Sequence, residues 1–287
     1  MHDLAQLLVN GVAVGSIIAL AAVGLTLTFG ILRLPNFAHG DLMTTGAYLT
    51  LLANTTGINI WLSMLLGAGG TAILTLIGEK LIWSTMRERR VTSTTLIIIS
   101  IGLALFLRNG IIFIWGGENQ RYLLPVASAV NLLGLKIVYY DLVVVGLTVL
   151  ALAGLHTLLQ NTKVGKGMRA VADDLDLARV SGIDVDRIVL YTWLLAGSLT
   201  ALSGGMYGLI TAVRPNMGWF LILPLFAAVI LGGIGNPYGA IAGAFIIGIT
   251  QEVSTYWIPS EYKLAVALIL MVLVLLVRPQ GLFRSTL

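Results

Sequence analysis

Nine stretches of apolar residues follow one another along this chain, and most of them are close to twenty residues long. They lie at approximately 5–31, 36–53, 60–83, 92–115, 139–160, 187–210, 219–234, 238–258 and 261–278. An apolar helix needs about 20 residues to cross a bilayer, so the pattern predicts an all-α integral membrane protein, a bundle of eight or nine transmembrane helices. The stretches at 36–53 and 219–234 are short, and the second contains Pro224, so we expect short or broken helices there.

The composition supports this class and excludes several others. Of 287 residues, 57% are hydrophobic and only 10% are charged, whereas a soluble domain carries about 25% charged residues. The absence of cysteine from the sequence excludes disulfides and thiolate chemistry, and the three histidines are scattered, so no metal site is expected. We expect one transmembrane domain over residues 1–287, with its first helix retained rather than cleaved as a signal peptide.

A polar interruption between the first two apolar stretches, Arg33 to Asp41, is the first candidate site. Polar backbone at membrane depth persists only when it is buried in protein or lines an aqueous path. The candidates for a translocation pathway here are Asn36, Phe37, His39 and Asp41. The alternative is structural, since Asn36 or Asp41 can cap the first turn of the second helix.

Two further charged residues lie within apolar stretches and extend the candidate pathway. Arg108 is costly inside a bilayer unless it is paired or hydrated, and the partners we expect are Asp141 or Glu252 rather than Glu79. Glu252 is itself a candidate pathway residue, with structural pairing as the alternative. For Arg108 the alternative is a side chain that extends to the outer interface.

The basic residues predict the orientation. If the loops at Arg33, 87–90, 163–187 and the C-terminus share one side, that side holds 12 of the 17 lysines and arginines. The excess of positive charge marks the cytoplasmic side. With nine crossings, the N-terminus is then outside and the C-terminus cytoplasmic.

The segment 161–187 is the one long charged internal segment of the sequence. Within it, Met168, Val171, Ala172, Leu175 and Ala178 recur at helical spacing, between Gly165 and Gly182, which predicts one amphipathic helix of about three turns. Because this helix carries aspartates as well as basic residues, we interpret it as a helix that docks on a partner protein rather than on lipid. A solvated connection is the alternative. Asp184 or Asp186 is expected to cap the membrane helix that follows the segment.

Two weaker features complete the pattern. The outer segment 116–140 is too short to fold alone, and we expect an ordered loop with a strand-like or short helical part that contacts an extracytoplasmic protein or simply connects two spans. The tripeptides Leu34-Pro35-Asn36 and Arg214-Pro215-Asn216 each follow a span on opposite sides, as an inverted repeat would give, but two shared residues prove little and we favour chance as the explanation.

Taken together, these landmarks resemble the permease subunits of ATP-binding-cassette importers for branched-chain and other neutral amino acids, the LivH-like family. The motifs that carry the resemblance are Asn36 to Met43 with Gly46-Ala47-Tyr48, Gly167 to Ala172 with Ala178 and Gly182-Ile183, Gly232 to Asn236, and Arg278 to Phe283. The familiar coupling motif with a glutamate ahead of its glycine is replaced here by 176–182, Asp-Leu-Ala-Arg-Val-Ser-Gly.

The resemblance implies a permease of the bacterial inner membrane that is not itself an enzyme and holds no cofactor, with ATP bound by partner subunits. The implied partners are a second related permease, two cytoplasmic ATPases and an extracytoplasmic substrate-binding protein. It implies coupling to the ATPases through Gly167, Met168, Arg169, Ala172, Asp173, Leu175, Ala178 and Gly182. The alternatives are a urea, amide or sugar permease of the same architecture, and an ATPase-independent secondary transporter.

Overall fold

Helices account for most of the chain in this computed structural model, which describes residues 2–33, 35–125, 129–132, 135–278 and 280–283. The first half contains α1 (His2–Leu32), α2 (Ala38–Thr55), α3 (Ile60–Gly78), a π-helical turn (Glu79–Trp83), α4 (Ser84–Glu88) and α5 (Ser93–Trp115). A hairpin of β1 (Ala129–Leu132) and β2 (Leu135–Val138) leads to α6 (Tyr139–Asn161), α7 (Lys163–Asp173) and α8 (Leu175–Val180). The second half contains α9 (Val185–Ile210), α10 (Met217–Gly232), α11 (Pro237–Ser254), a 3₁₀ turn (Ser260–Tyr262) and α12 (Lys263–Val277).

Each of the nine predicted apolar helices is present close to its predicted bounds, so the all-α membrane bundle is confirmed. Among the described residues, six helical segments are long and apolar enough to cross a bilayer: Asp3–Gly30, Ile60–Glu88, Ser93–Trp115, Tyr139–Asn161, Val185–Ile210 and Ser260–Val277. Of the other three, α10 is short, with 16 residues, and α2 and α11 have 18 residues each. Both α2 and α10 are continuous helices, and Pro224 is accommodated within α10.

The helices α2 and α10 lie in the interior together with the long helices α1 and α9, and α5, α6 and α12 form much of the exterior. Most of the side chains of α2 and α10 are buried, whereas α5, α6 and α12 are largely exposed along their spanning segments. In a bilayer an exterior helix is apolar on its outer side too. An interior helix is instead free to carry small and polar residues, because its neighbours are protein.

The two halves of the bundle repeat one packing pattern with the chain running in opposite directions. In the first half α2 packs on α3, and in the second half α10 packs on α11; α1 packs on α11, and α9 packs on α3. The two Pro-Asn dipeptides noted in the sequence occupy corresponding places, each directly before a short helix, α2 or α10. This arrangement supports the inverted repeat (Leu34 itself lies outside the described residues).

Polar side chains at the expected places define the helix starts. Six polar side chains each accept a hydrogen bond from a backbone amide in the first turn of the helix that they precede. They are Asn59 before α3, Thr92 before α5, Thr162 before α7, Asp174 before α8, Asp184 before α9 and Asn236 before α11. The prediction that Asp184 or Asp186 caps the helix after the charged segment is confirmed for Asp184, whose Oδ1 accepts from the Arg187 amide at 3.1 Å.

The charged segment differs from its prediction in one respect. Instead of one amphipathic helix it forms two, α7 and α8, which are separated at Asp174. The Asp174 backbone is extended, and its carboxylate accepts from the amides of Asp176 and Leu177, both at 2.9 Å. Aspartate competes well for such cap positions, so a helix that spacing alone would continue is interrupted there.

Candidate functional site

The start of α2 lies well inside the bundle rather than at its surface. The Phe37 amide donates to Ser100 Oγ at 3.3 Å, and Ser100 is seven residues, or about 10 Å, into α5. His39 contacts the carbonyl of Ala21, eleven residues before the end of α1. The chain therefore leaves α1, turns at Arg33 (φ 52°) and returns into the bundle before α2 begins.

Asn36 caps this start, as the structural alternative proposed. It is 1% exposed, and its Oδ1 accepts from the Ala38 amide at 3.1 Å while its carbonyl accepts from the His39 amide at 3.2 Å. Its Nδ2 has no hydrogen-bond partner among the described residues. A buried amide group with one of its two polar atoms unpaired costs free energy, which the cap hydrogen bond offsets in part.

His39 connects three helices. Its Nε2 lies 2.9 Å from the Ala21 carbonyl of α1 and 2.9 Å from Thr200 Oγ1 of α9. The Thr200 hydroxyl donates to the Ala196 carbonyl at 2.7 Å, which leaves Nε2 to carry the proton and donate. Gly24 makes this approach possible, because a Cβ there would lie 2.6 Å from Thr200 Oγ1. His39 is 1% exposed and acts as a junction of the bundle.

Asp41 is the partner of Arg108, and the predicted partners Asp141 and Glu252 were wrong. Arg108 Nε donates to Asp41 Oδ1 at 3.0 Å and its Nη2 donates to Oδ2 at 2.9 Å, a bidentate pair between α5 and α2. The guanidinium also lies 4.6 Å from the centre of the Trp219 ring at the start of α10. Asp41 is 1% exposed and Arg108 14%, so Arg108 is the half of the pair that other molecules can reach.

The other acidic residues considered for Arg108 have different surroundings. Glu252 accepts from Lys263 Nζ at 2.6 Å between α11 and α12, and Glu79 pairs with Arg87 across the π-helical turn, with Arg87 Nη1 3.1 Å from its Oε2. Asp141 makes no ion pair with any described residue. Structural pairing, the alternative given for Glu252, is therefore what the geometry shows.

The first turns of α2 and α10 meet where these polar residues lie. A Cβ on Gly218 would overlap the carbonyl of Gly40, and a Cβ on Gly40 would overlap the carbonyl of Gly218. The Gly218 amide donates to Thr44 Oγ1 at 3.0 Å. Glycine at both positions is required for backbones at this distance, as is usual for close helix contacts in membranes.

An apolar crevice of about 510 Å³ extends from this junction along α10, between α1 and α12. Phe37 and Phe226 meet edge to face in it, with ring centres 5.0 Å apart, and Arg33 is the one charged residue among the described residues that line it. Trp219, Leu223, Phe226 and Ile230 follow one another on one side of α10. The α10 stripe, as we call these four side chains, runs from Arg108 toward the Arg33 end of the bundle.

In the charged segment, the face predicted to dock is largely used within the chain itself. Gly167, Met168, Val171 and Ala178 are buried, and Ala172 and Leu175 are half-buried. Arg169 Nη1 donates to the Leu159 carbonyl of α6, and Arg33 Nη2 donates to the Asp173 carbonyl at 2.8 Å. Asp173 and Gly182 (φ 84°) remain exposed.

The apolar surface that remains free belongs to α8, and the pattern analysis missed it. Leu177 is 62% exposed and Val180 is 81% exposed, between the charged residues Asp176 and Arg179. Both lie on the side of α8 opposite the buried Ala178 and the half-buried Leu175. This exposed apolar pair among charged residues is a candidate surface for a contact with another protein.

The outer segment is ordered where it is described. Besides the hairpin, Gln120 and Val213 exchange backbone hydrogen bonds at 2.9 Å, which ties the segment to the loop before α10. Tyr122 is buried and donates to the Ala47 carbonyl at 3.2 Å, and burial raises the pKa of its phenol. The predicted strand-like part is thus confirmed (residues 126–128 and 133–134 lie outside the description).

Comparison with known proteins assigns this architecture. Residues 7–275 match the family model described as branched-chain amino acid transport system / permease component. The chain is 32% identical to the high-affinity branched-chain amino acid transport system permease protein LivH of Salmonella typhimurium, over 96% of this chain and 94% of that protein. It is 30% identical to the corresponding protein BraD of Pseudomonas aeruginosa, with the same coverage of each chain.

The chain belongs to this permease family. Its likeness to a family of transport components confirms the expectation that it is not itself an enzyme. A solved structure of PsaBC from Streptococcus pneumoniae in complex with Fab covers 98% of this chain and 93% of its own, with a TM-score of 0.54 and 15% identity, and it supports the fold.

Within the family architecture, the structure separates the predicted site residues into two groups. Asn36, His39 and Asp41 are interior, where Asn36 caps α2 and the other two join helices, whereas Phe37 lines the crevice and Arg108 is partly accessible. Glu252 lies apart, near the start of α12. Sequence reasoning missed Trp219 and Thr200, since neither stands out from the apolar helices around it.

Proposed function

We propose that this chain forms the translocation pathway of an ATP-driven importer for branched-chain or other neutral amino acids. The match over most of the chain to permeases of that printed description supports the cargo. In this proposal it works with a second related permease, two cytoplasmic ATPases and an extracytoplasmic binding protein. The chain holds no cofactor, and ATP is bound by the ATPases.

The proposed orientation places the chain in the bacterial plasma membrane with its N-terminus outside and C-terminus cytoplasmic. The contact of Arg33 with the end of α7 supports it, because it puts the first polar turn and the charged segment at one end of the bundle. The basic residues 87–90 and 163–169 are concentrated in the same set of loops. Positive charge of this kind is retained on the cytoplasmic side.

The proposed pathway runs along the α10 stripe, with Phe37 and Arg108 beside it. The stripe is accessible, since Trp219 is 46% exposed and Leu223 is 39% exposed. An apolar wall lets an aliphatic side chain pass without binding it tightly. Asn36, His39 and Asp41 stabilise that wall from behind, and Glu252 stabilises the α11–α12 end of the bundle.

The exposed pair Leu177 and Val180 is the observation that carries coupling to an ATPase. A helix with a free apolar pair among charges of both signs fits a groove on a partner protein better than a headgroup layer. The other predicted coupling residues then act indirectly, on the side of α7 and α8 that faces the bundle. Met168, Ala172, Leu175 and Ala178 pack α7 and α8 on the bundle, so that a force on α8 reaches the spans.

The test replaces both exposed residues, Leu177→Ser with Val180→Ser, in the assembled importer. We expect the permease to fold and insert normally, while uptake of labelled leucine and stimulated ATPase activity fall about tenfold, because interface anchors carry most of a contact's energy. Lys166→Ser, on the exposed side of α7, is the matched control and keeps both activities. Full uptake by the double variant would contradict the docking role of α8.

The cargo is tested separately. Uptake of labelled leucine, alanine, urea and ribose is compared in cells with and without the gene. Leucine uptake that depends on the gene and on the ATPases is the expected result. If uptake of urea or ribose depended on the gene instead, or if leucine uptake did not require the ATPases, one of the alternatives would replace the proposal.

A further inference from the structure

A second groove, distinct from the α10 stripe, opens at the proposed cytoplasmic end of the bundle. It has a volume of about 610 Å³ and lies between α4 with its following loop on one side and α8 with the start of α9 on the other. We call it the charged groove. Its size is that of pockets which hold small molecules, about 300–1,000 Å³.

The floor of the charged groove is apolar and fixed. It is formed by Met86, Val91, Leu96, Leu175, Val185 and Val189. Leu96, Val185 and Val189 are at most 8% exposed, so they cannot turn away from a bound group. A floor of aliphatic side chains favours an aliphatic group of similar size.

The rim carries charges of both signs on both walls. The α4 wall presents Arg87, Glu88 and Arg90, and the wall of α8 and α9 presents Asp176, Arg179 and Asp186. Arg87 is engaged by Glu79, but the side chains of the other five form no ion pair with any described residue. They therefore offer both a cationic and an anionic partner to a ligand, and their balance selects against a ligand of high net charge.

We propose that the charged groove binds a zwitterionic α-amino acid with an aliphatic side chain, taken from the cytoplasm. The carboxylate is held by the free arginines, the ammonium group by the free carboxylates and the side chain by the floor. This proposal rests on the proposed function, which supplies the cargo and the orientation. The groove is thereby a product-sensing site, separate from the pathway.

The position of the groove gives the binding a consequence. A ligand that bridges both walls ties α8 to α4, which restrains the helix whose outer side carries Leu177 and Val180. A ligand can shift an equilibrium between conformations only by its preference for one of them. Accumulated product therefore slows its own import by favouring the restrained position of α8.

The experiment uses the complete importer in proteoliposomes, with the binding protein and labelled leucine outside. Internal L-leucine is expected to lower the initial uptake rate about fivefold, at the low end of common allosteric couplings. Internal isocaproate, which lacks the ammonium group, isopentylamine, which lacks the carboxylate, and glycine, which lacks the side chain, are expected to have little effect.

Two variants on the α4 wall, away from α8, identify the site. Arg90→Asn and Glu88→Gln are expected to take up leucine normally into empty vesicles and to lose the inhibition. Asparagine suits position 90 because Arg90 has a positive φ of 47°. The matched control is Arg89→Asn, an exposed neighbour outside the groove, which keeps the inhibition.

Each other outcome has a distinct meaning. Normal uptake with no effect of internal leucine on the wild type would overturn the groove proposal and leave the proposed function standing. Reduced uptake into empty vesicles by Arg90→Asn, with Arg89→Asn unaffected, would also overturn it and assign the groove to an ATPase contact. Absence of any uptake by the wild type would contradict the proposed function, and equilibrium dialysis of L-leucine against wild type and Arg90→Asn then decides the groove.

Discussion

The junctions before α2 and before α10 share a backbone plan and differ in chemistry. Each is a Pro-Asn segment that leads into a short interior helix, and the two helices meet at Gly40 and Gly218. The first junction buries Asn36, His39 and Asp41, all about 1% exposed, and each has a polar partner. In the second, Asn216 is exposed and provides no side-chain cap.

This difference indicates a division of roles between the two halves. Buried polar contacts hold a backbone in one arrangement because breaking any of them leaves an unpaired group in a dry interior. The first junction therefore acts as a fixed frame. The second carries the accessible α10 stripe and has few such contacts, so it is the half better suited to line a path and to move.

The largest effect is expected where the two junctions touch. Gly40→Ala or Gly218→Ala places a methyl group on the opposite carbonyl, and neither backbone can withdraw without losing its helix packing. We expect little or no folded protein by size-exclusion chromatography in detergent. Gly102→Ala on α5, where no described atom outside its own helix lies within 4 Å, is the control and should fold normally. Wild-type stability of Gly218→Ala would show that the junctions do not touch.

The ion pair of the first junction should have the next largest effect. Asp41→Asn leaves the Arg108 guanidinium without its counter-charge and is expected to cost about 3–5 kcal/mol in the free energy of unfolding. Replacing both, Asp41→Asn with Arg108→Met, should cost less than the two single changes combined, measured as a double-mutant cycle in detergent. Arg187→Gln breaks an exposed pair and should change stability by less than about 1 kcal/mol. If the losses in the free energy of unfolding at Asp41 and Arg108 were additive, the ion pair would not stabilise the first junction.

A smaller effect is expected at His39. His39→Leu removes the hydrogen bonds that join α2 to α1 and α9, with an expected loss of about 1–3 kcal/mol. The measurement is thermal unfolding of the detergent-solubilised permease. His156→Leu, which affects an exposed histidine bonded to Tyr238, should have a smaller effect. Equal losses of stability for His39→Leu and His156→Leu would mean that the burial of His39 adds nothing to the stability of the permease.

The smallest effect tests the comparison most directly, because the same residue type occurs at both junctions. Asn36→Ala should cost about 1 kcal/mol through the lost cap, whereas Asn216→Ala should change stability by less than about 0.5 kcal/mol. Unfolding curves of the two variants, measured side by side, give the two stability costs. A larger loss of stability for Asn216→Ala than for Asn36→Ala would contradict the assignment of the first junction as the fixed frame and of the second as the half that lines the path.

Sequence reasoning succeeded for features that depend on near neighbours. Runs of apolar residues gave the helices within a few residues of their observed bounds, and the cap at Asp184 follows from its place before a helix. It failed where distant segments meet. Arg108 was assigned to Asp141 or Glu252 because the position of Asp41 depends on the chain re-entering the bundle after α1, which no local pattern contains.

The charged segment shows the same limit. Spacing identified the apolar side of its helices but not what covers that side, and the structure shows that α1, α6 and α9 of this chain cover most of it. The free residues Leu177 and Val180 lie off that periodic face. Only the packed structure distinguishes an apolar face that is already occupied from one that is still available.

The hydrogen bond from Arg33 to the end of α7 has a mechanical consequence. Arg33 is three residues before Asn36, so α7 is joined to the start of α2 through a short stretch of backbone. A chain of that length spans at most about 10 Å. If α8 docks on an ATPase as proposed, a displacement of α7 and α8 reaches the start of α2 over this short distance.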